Sequence, residues 1–158
     1  MSGILWITGL AGSGKTSLAN AVVRRWQGSA LLHLDGDRWR QILGDLGAGY
    51  LPDQRLAIGS ALARLSLELA SQRQSVVVST ISRFAEVGEI LATSELPVYR
   101  VLLQANLPTL TARRPHIHRP ESASDHETPW PFQIDLCLRS DTQMDIDALA
   151  AQILAQWP

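Results

Sequence analysis

The stretch "ILWITGLAGSGKTSLANAVVRRW" (4–26) decides how the rest of the chain is read. Five residues, "ILWIT", run apolar without alternation into "GLAGSGKT" (9–16), which satisfies G-x-x-x-x-G-K-[ST], and apolar residues then recur at three- and four-residue spacing. Strand, loop and helix in that order are the context this motif requires. Gly9, Gly12 and Gly14 let the backbone turn its N–H groups toward phosphate oxygens, and the helix that follows adds the positive end of its dipole. Lys15 would reach the β and γ phosphates, and the Thr16 hydroxyl would hold Mg2+. Gly9, Gly12, Ser13, Gly14, Lys15, Thr16 and Ser17 are therefore the expected nucleotide site, with ATP and Mg2+ as cofactors. The plain alternative is a glycine-rich turn that binds nothing.

Outward from this stretch the pattern repeats. Strand-length apolar runs fall at 4–8, 30–34, 75–80, 98–103 and 134–138, and helical periodicity falls at 15–26, 53–72, 84–94, 107–114 and 144–157. Five strands alternating with helices predict an α/β three-layer sandwich around a five-stranded parallel sheet, because parallel neighbours need crossovers and are covered on both faces. The 158 residues, 46% hydrophobic, suit one domain spanning 1–158. Only "PHIHRPESASDHETPWPF" (115–132), with four prolines, fits neither period, and its length predicts a lid loop.

Composition narrows the partners. A net charge of −1 gives no global attraction to nucleic acid or membrane, no run is long enough to span a bilayer, and the apolar N-terminus lacks the basic region of a signal peptide. Cys137 alone cannot form an internal disulfide; it is expected to pack as a small hydrophobe, and the cytoplasm is the expected compartment. Lys15 is the only lysine among 14 basic residues, so the N-K-x-D base-reading motif of GTPases cannot be present. "LDGDRWR" (34–40) places Asp35 and Asp37 just past the second strand, at the sheet edge where ligands bind. Carboxylates there can orient Mg2+ and take the proton of an attacking hydroxyl, and Arg38 and Arg40 suit an anionic acceptor. The plain reading of this string is an Asp capping a helix that begins near Asp37.

"LWITGLAGSGKTSLA", "LDGD" followed by Arg40, and "VVVSTISRF" resemble three successive motifs of the adenylylsulfate kinases, which phosphorylate the ribose 3′-hydroxyl of adenylyl sulfate with ATP. The similarity is good over about the first 90 residues and weak beyond. It implies a P-loop NTPase fold of the nucleoside-monophosphate-kinase type. It also implies Lys15, Asp35 and Asp37 as catalytic residues, Thr16 and Asp35 at the metal, and an acceptor pocket formed by Asp37, Arg40, Arg55, Ile81, Ser82 and Phe84. Ser82 falls on a serine that some of these enzymes carry as a phosphoryl group. Related kinases often dimerise, which makes a homodimer part of the expectation.

The departures lie on the acceptor side. Where the family carries D-R-x-E-N-I-R-R, this chain has "QRLAIGSA", placing Ile58 on the asparagine and Ser60 and Ala61 on the two later arginines. The R-D-P-K-G-L-Y-K lid and the F-T-G-I clamp are absent. The donor half of the site is retained and the acceptor half rewritten, so similar short kinases that use other acceptors, such as cytidine diphosphoramidate kinases, are the alternative; an ATP-binding regulatory module is the non-enzymatic one. In "RRPHIHRP" (113–120), Arg113 matches the family's base-contacting arginine, with Arg114 and Arg119 as second candidates. His116, His118 and His126 lack a clear fourth ligand for zinc. Trp130 is expected to anchor the loop by packing.

Overall fold

Strands without polar alternation must be covered on both sides, and this requirement sets the architecture. The computed structural model describes residues 2–47, 49–117, 128–141 and 145–157. In chain order these form β1 (Ile4–Thr8), α1 (Lys15–Arg25), β2 (Leu31–Asp35), α2 (Gly36–Leu43), a 3-10 turn (Gly44–Leu46) and α3 (Pro52–Ser71). They continue through β3 (Ser75–Ser79), α4 (Ala85–Ala92), β4 (Val98–Gln104), α5 (Leu107–Arg113), β5 (Leu136–Arg139) and α6 (Ile146–Gln156). The strands make one parallel sheet in the order β2-β3-β1-β4-β5. The fold is the five-stranded α/β sandwich that the periodicity predicts.

β1 lies at the centre, hydrogen-bonded to β3 and β4, and all five of its residues are buried. Its two faces feed two separate cores. Leu5 and Ile7 pack with Leu18 and Val22 of α1 and Leu149 and Ile153 of α6. Ile4 and Trp6 pack with Ile58 and Leu62 of α3 and Val87 and Leu91 of α4. Each such side chain, fully buried, contributes about 1.5–3 kcal/mol, so the strand that delivers the glycine loop is firmly anchored.

The structure moves several boundaries. β2 ends at Asp35 rather than at 34 because Asp35 pairs in register with Ser79, which continues the ladder to the edge of the sheet. α2 is an additional helix, started by Asp35, whose Oδ1 accepts the N–H groups of Asp37 and Arg38 at 3.1 Å each. The fifth strand begins at Leu136, not 134. Asp135 puts its Oδ2 on the Arg100 N–H at 2.7 Å, so a side chain takes the position of the first ladder bond. Cys137 is exposed rather than packed, because β5 is an edge strand with one face turned outward. No helix among the described residues is long and apolar enough to cross a membrane.

Of the segment 115–132, residues 118–127 lie outside the described residues, and with them His118, Arg119 and His126. The described end is tied down. Phe132 lies against α4 where Gly88 has no side chain, since a Cβ there would sit 2.2 Å from that of Phe132. Trp130 meets the Phe132 ring edge-on at 6.4 Å, and the Arg83 guanidinium lies 5.3 Å from the Trp130 ring centre. Trp130 thus packs, as the sequence suggests.

Candidate active site

Between β1 and α1 the loop takes a shape only glycine allows. Gly9, Gly12 and Gly14 have φ of 150°, 81° and 97°. A Cβ on Gly9 would lie 2.2 Å from the Leu103 carbonyl oxygen in β4 and 2.8 Å from the Ser13 hydroxyl, so the loop is pressed against the sheet. Gly9→Ala is expected to weaken Mg-ATP binding about tenfold or more, the equivalent of at least ~1.4 kcal/mol of strain. A fluorescence titration giving an unchanged Kd would mean that the close approach does not shape the site. Lys15, the first residue of α1, curls back so that its Nζ donates to the Leu10 carbonyl at 2.9 Å. Burial lowers its pKa to about 8; Asp37 and Asp35 pull it up and Arg114 pushes it down.

Asp35 is the node of the site. Its Oδ1 caps α2, while its Oδ2 accepts from the Thr16 hydroxyl and from the Ser79 hydroxyl, each at 2.7 Å. Burial by itself would raise the Asp35 pKa. The Thr16 and Ser79 hydroxyls, the Arg38 N–H and the nearby His33 outweigh it and hold the carboxyl below the usual carboxylate range. The capping reading of this string is therefore realised, by a side chain whose other oxygen also ties Thr16 and Ser79 together. Asp37 is exposed on the first turn of α2, and no donor among the described residues bonds its carboxylate.

The part of the cleft expected to take the acceptor is a wall of arginine and aromatic groups. Arg40 donates from Nη1 to the carbonyls of Gly47 and Gly49, at 3.2 and 2.7 Å, and lies 4.8 Å from the ring centre of Tyr50. Arg55 approaches the same ring, at 5.9 Å. Arg40 thus folds the turn after α2 and presents only part of its guanidinium to the cleft. Ile81 stands at the rim, its carbonyl held by the Thr8 hydroxyl at 2.7 Å. Ser82 is 95% covered, with its Oγ 3.2 Å from that of Thr80 and close over Gly59. Phe84 is half-buried between the cleft and the α3–α4 core. Ile58 and Ser60 are buried, Ile58 within that core, while Ala61 is exposed, and none of the three lines the cleft.

On the donor side Arg113 closes a clasp. It donates to the Gly12 carbonyl at 3.0 Å, to the Ser140 hydroxyl at 3.3 Å and to the Ser140 carbonyl at 2.9 Å, while the Ser140 hydroxyl donates to the Ser13 carbonyl at 2.7 Å. The stem of Arg114 covers Gly12. One cleft of about 1270 Å3 is lined by Gly12 to Ser17, Asp35, Asp37, Arg40, Tyr50, Arg55, Ser79, Ile81, Ser82, Phe84, Arg113 and Ser140, whereas Gly9 and Arg38 do not line it. Ser17 is exposed at its mouth. Among the described residues no cluster of three or more His, Cys, Asp and Glu could hold a metal.

Tyr50, Ser79, His33 and Ser140 are missing from the sequence reading. A polar residue ending or interrupting an apolar strand was the available signal for His33 in "LLHLD" and Ser79 in "VVVST". Tyr50 and Ser140 carry no local pattern.

A parallel sheet in this order, with a glycine loop leaving its central strand for the N-terminus of a helix, defines a P-loop NTPase of the nucleoside-monophosphate-kinase type. The profile of the adenylylsulphate kinase family matches residues 1–116, and the chain belongs to that family. It is 34% identical to the cytidine diphosphoramidate kinase of Campylobacter jejuni over 70% of this chain and 65% of that one. It is 33% identical to the adenylyl-sulfate kinase of Chloroflexus aurantiacus over 87% of this chain and 80% of that one. Among solved structures, the Mycobacterium tuberculosis APS kinase CysC in complex with AMPPNP and APS superposes with a TM-score of 0.78 at 26% identity, covering 98% of this chain and 96% of that one. Several curated relatives are matched over only part of their length, 65%, 64% and 50% in three cases.

Proposed function

We propose that the protein is a Mg-ATP-dependent kinase that transfers the γ-phosphoryl group to a hydroxyl of a small anionic acceptor, with the ribose 3′-hydroxyl of adenylyl sulfate as the leading candidate. The observation that carries this reading is the single cleft in which the glycine loop, the two carboxylates and the arginine wall face one another. The loop N–H groups and Lys15 hold the β and γ phosphates. The Thr16 hydroxyl donates a hydrogen bond to Asp35 and so turns lone pairs toward the cleft, which fits a hard cation such as Mg2+. When bound, that ion would neutralise charge on the transferring group. Arg40, Arg55 and Tyr50 seat the acceptor, with Ile81, Ser82 and Phe84 beneath it. The acceptor oxygen bonds to the γ phosphorus as the bond to the β–γ bridging oxygen breaks; the hydroxyl proton passes to Asp37, and ADP leaves. Segment 115–132 acts as a lid that excludes water from the transfer within a single domain spanning 1–158. The kinase works in the cytoplasm, as a homodimer.

A second acceptor class is favoured by one observation. The α3 positions at which the family's pattern carries asparagine and arginine are here Ile58, Ser60 and Ala61, so none of them offers the amide or guanidinium of that pattern, and Ile58 is buried in the core. The Campylobacter relative's name points to cytidine diphosphoramidate as an alternative. ADP release from Mg-ATP, measured with adenylyl sulfate beside cytidine diphosphate derivatives and simple sugars, separates the readings. Fast turnover with adenylyl sulfate is expected. Turnover only with a cytidine derivative transfers the assignment to the second class, and ATP binding without turnover for any acceptor sinks the kinase reading.

A further inference from the structure

Asp35 is oriented from behind by a residue that the phosphoryl-transfer chemistry does not use. In parallel strands a period of two puts His33 and Asp35 of β2 on one face, and the register sets Ser79 of β3 beside Asp35 and Val77 beside His33. The Ser79 hydroxyl therefore stands between the two: its oxygen is 2.8 Å from His33 Nε2 and 2.7 Å from Asp35 Oδ2. The proton count along this row is determined. Ionised Asp35 only accepts, so Ser79 must donate to it, and the bond between Ser79 and His33 must then be donated by an Nε2–H. A serine hydroxyl has one proton and rotates freely; with its lone pair taken by His33, that proton is fixed on Asp35.

We propose that His33 is a positioning residue for the metal-nucleotide site, acting through Ser79 and Asp35 on the Thr16 hydroxyl. The inference rests on the reading of Thr16 as the group that meets the ion carried by ATP. Oδ2 of Asp35 takes both hydroxyl protons, from Ser79 and from Thr16, and the carboxylate plane is fixed at the other end by the two backbone N–H groups at Oδ1. Without His33, Ser79 can turn its proton elsewhere. Asp35 can then rotate about the helix cap, and Thr16 no longer has a fixed acceptor. The effect belongs to the ion-dependent part of nucleotide binding, since His33 and Ser79 reach the nucleotide site through Asp35 and Thr16, while Lys15 Nζ is held separately by the Leu10 carbonyl. Orientation of ligands through outer partners is a general property of metal sites, where loss of one costs typically about 10–100-fold in metal affinity.

Two measurements on the intact protein test this. The first is long-range 15N–1H NMR of His33 without nucleotide, which should show the proton on Nε2; a proton on Nδ1 alone overturns the proposal. The second is calorimetric titration with ATP at a series of Mg2+ concentrations, for wild type, His33→Leu, His33→Gln, Ser79→Ala and the His33→Leu/Ser79→Ala pair. His33→Leu is expected to raise the Mg2+ concentration needed for half-maximal binding about three- to tenfold, less than a directly bonded partner would. ATP affinity without Mg2+ should be unmoved. Glutamine, whose amide N–H reaches about as far as Nε2, should return the value to within about twofold, and the double variant should be no worse than Ser79→Ala alone. A His33→Leu protein with wild-type Mg2+ dependence, or a glutamine variant as impaired as leucine, overturns the proposal. Wild-type ATP binding that ignores Mg2+ instead removes the reading of Thr16 on which it rests.

Discussion

Lys15→Ala is expected to lower acceptor-dependent ADP release by about 10²–10³-fold, the usual cost of removing one preorganised electrostatic group from a transition state. Charge builds on the oxygens around the transferring phosphorus, and Lys15 is the only lysine the chain has with which to meet it. Its ammonium already points over the loop, held by the Leu10 carbonyl at 2.9 Å. Burial has lowered its pKa to about 8, so part of its proton affinity is restored only when an anion arrives. Alanine leaves an exposed loop carbonyl and breaks no core contact, so the melting temperature should hardly move. Single-turnover kinetics beside thermal melting check both halves of this statement. Near-wild-type turnover would show that the loop backbone alone carries the phosphates, and the site assignment would have to be abandoned.

Asp35→Asn is expected to divide its damage between activity and stability in a way that Lys15→Ala does not. The carboxylate receives four hydrogen bonds, two at each oxygen. An amide has one oxygen and one NH2, so one pair of donors must face another donor. If the NH2 turns to Thr16 and Ser79, the threonine hydroxyl has to rotate its proton into the cleft. If it turns to the backbone, α2 loses its cap, worth about 1 kcal/mol, or roughly 2–4 °C in Tm for a chain of this size. Turnover should fall about 10²-fold or more while ATP binding changes far less. Equal loss of both in parallel titrations would place Asp35 with the phosphate-holding loop instead of with Thr16 and the ion it is proposed to meet.

The loop and its strand were legible because the motif is itself a description of backbone: three glycines where a Cβ cannot fit, and a lysine at the first helical position. The alternation of covered strands with amphipathic helices was legible for the same kind of reason, since burial on both faces erases polar alternation. Side-chain destinations were not. Arg40 was read as an acceptor contact from its place after Asp37, yet most of its hydrogen bonding goes to the Gly47 and Gly49 carbonyls, a closure that depends on where the turn after α2 comes to rest. Arg113, which the family resemblance implies as a base contact, clasps Gly12 and Ser140 across 101 and 27 residues of chain, and neither partner is visible from its local sequence. Cys137 sits in an apolar string that looks buried until the strand order makes β5 an edge. Position 35 ends a strand, starts a helix and bonds the first turn of α1 and the end of β3, and no window of sequence contains all of these partners.

The placement of β1 at the middle of the sheet separates the two halves of the cleft in how they come apart. The nucleotide loop hangs from a strand paired on both sides and buried along its whole length, so its backbone bonds open only when the whole molecule does. The acceptor wall is built instead on α2 and the turn behind the edge strand β2, where Ile42, Leu46, Tyr50 and Leu51 are each more than half exposed. Few apolar contacts oppose local opening there, and the wall can yield to admit or release a molecule while the phosphates stay gripped. In the proposed kinase, the same arrangement would let substitutions on the outer wall retune what is phosphorylated at little cost to the grip on ATP.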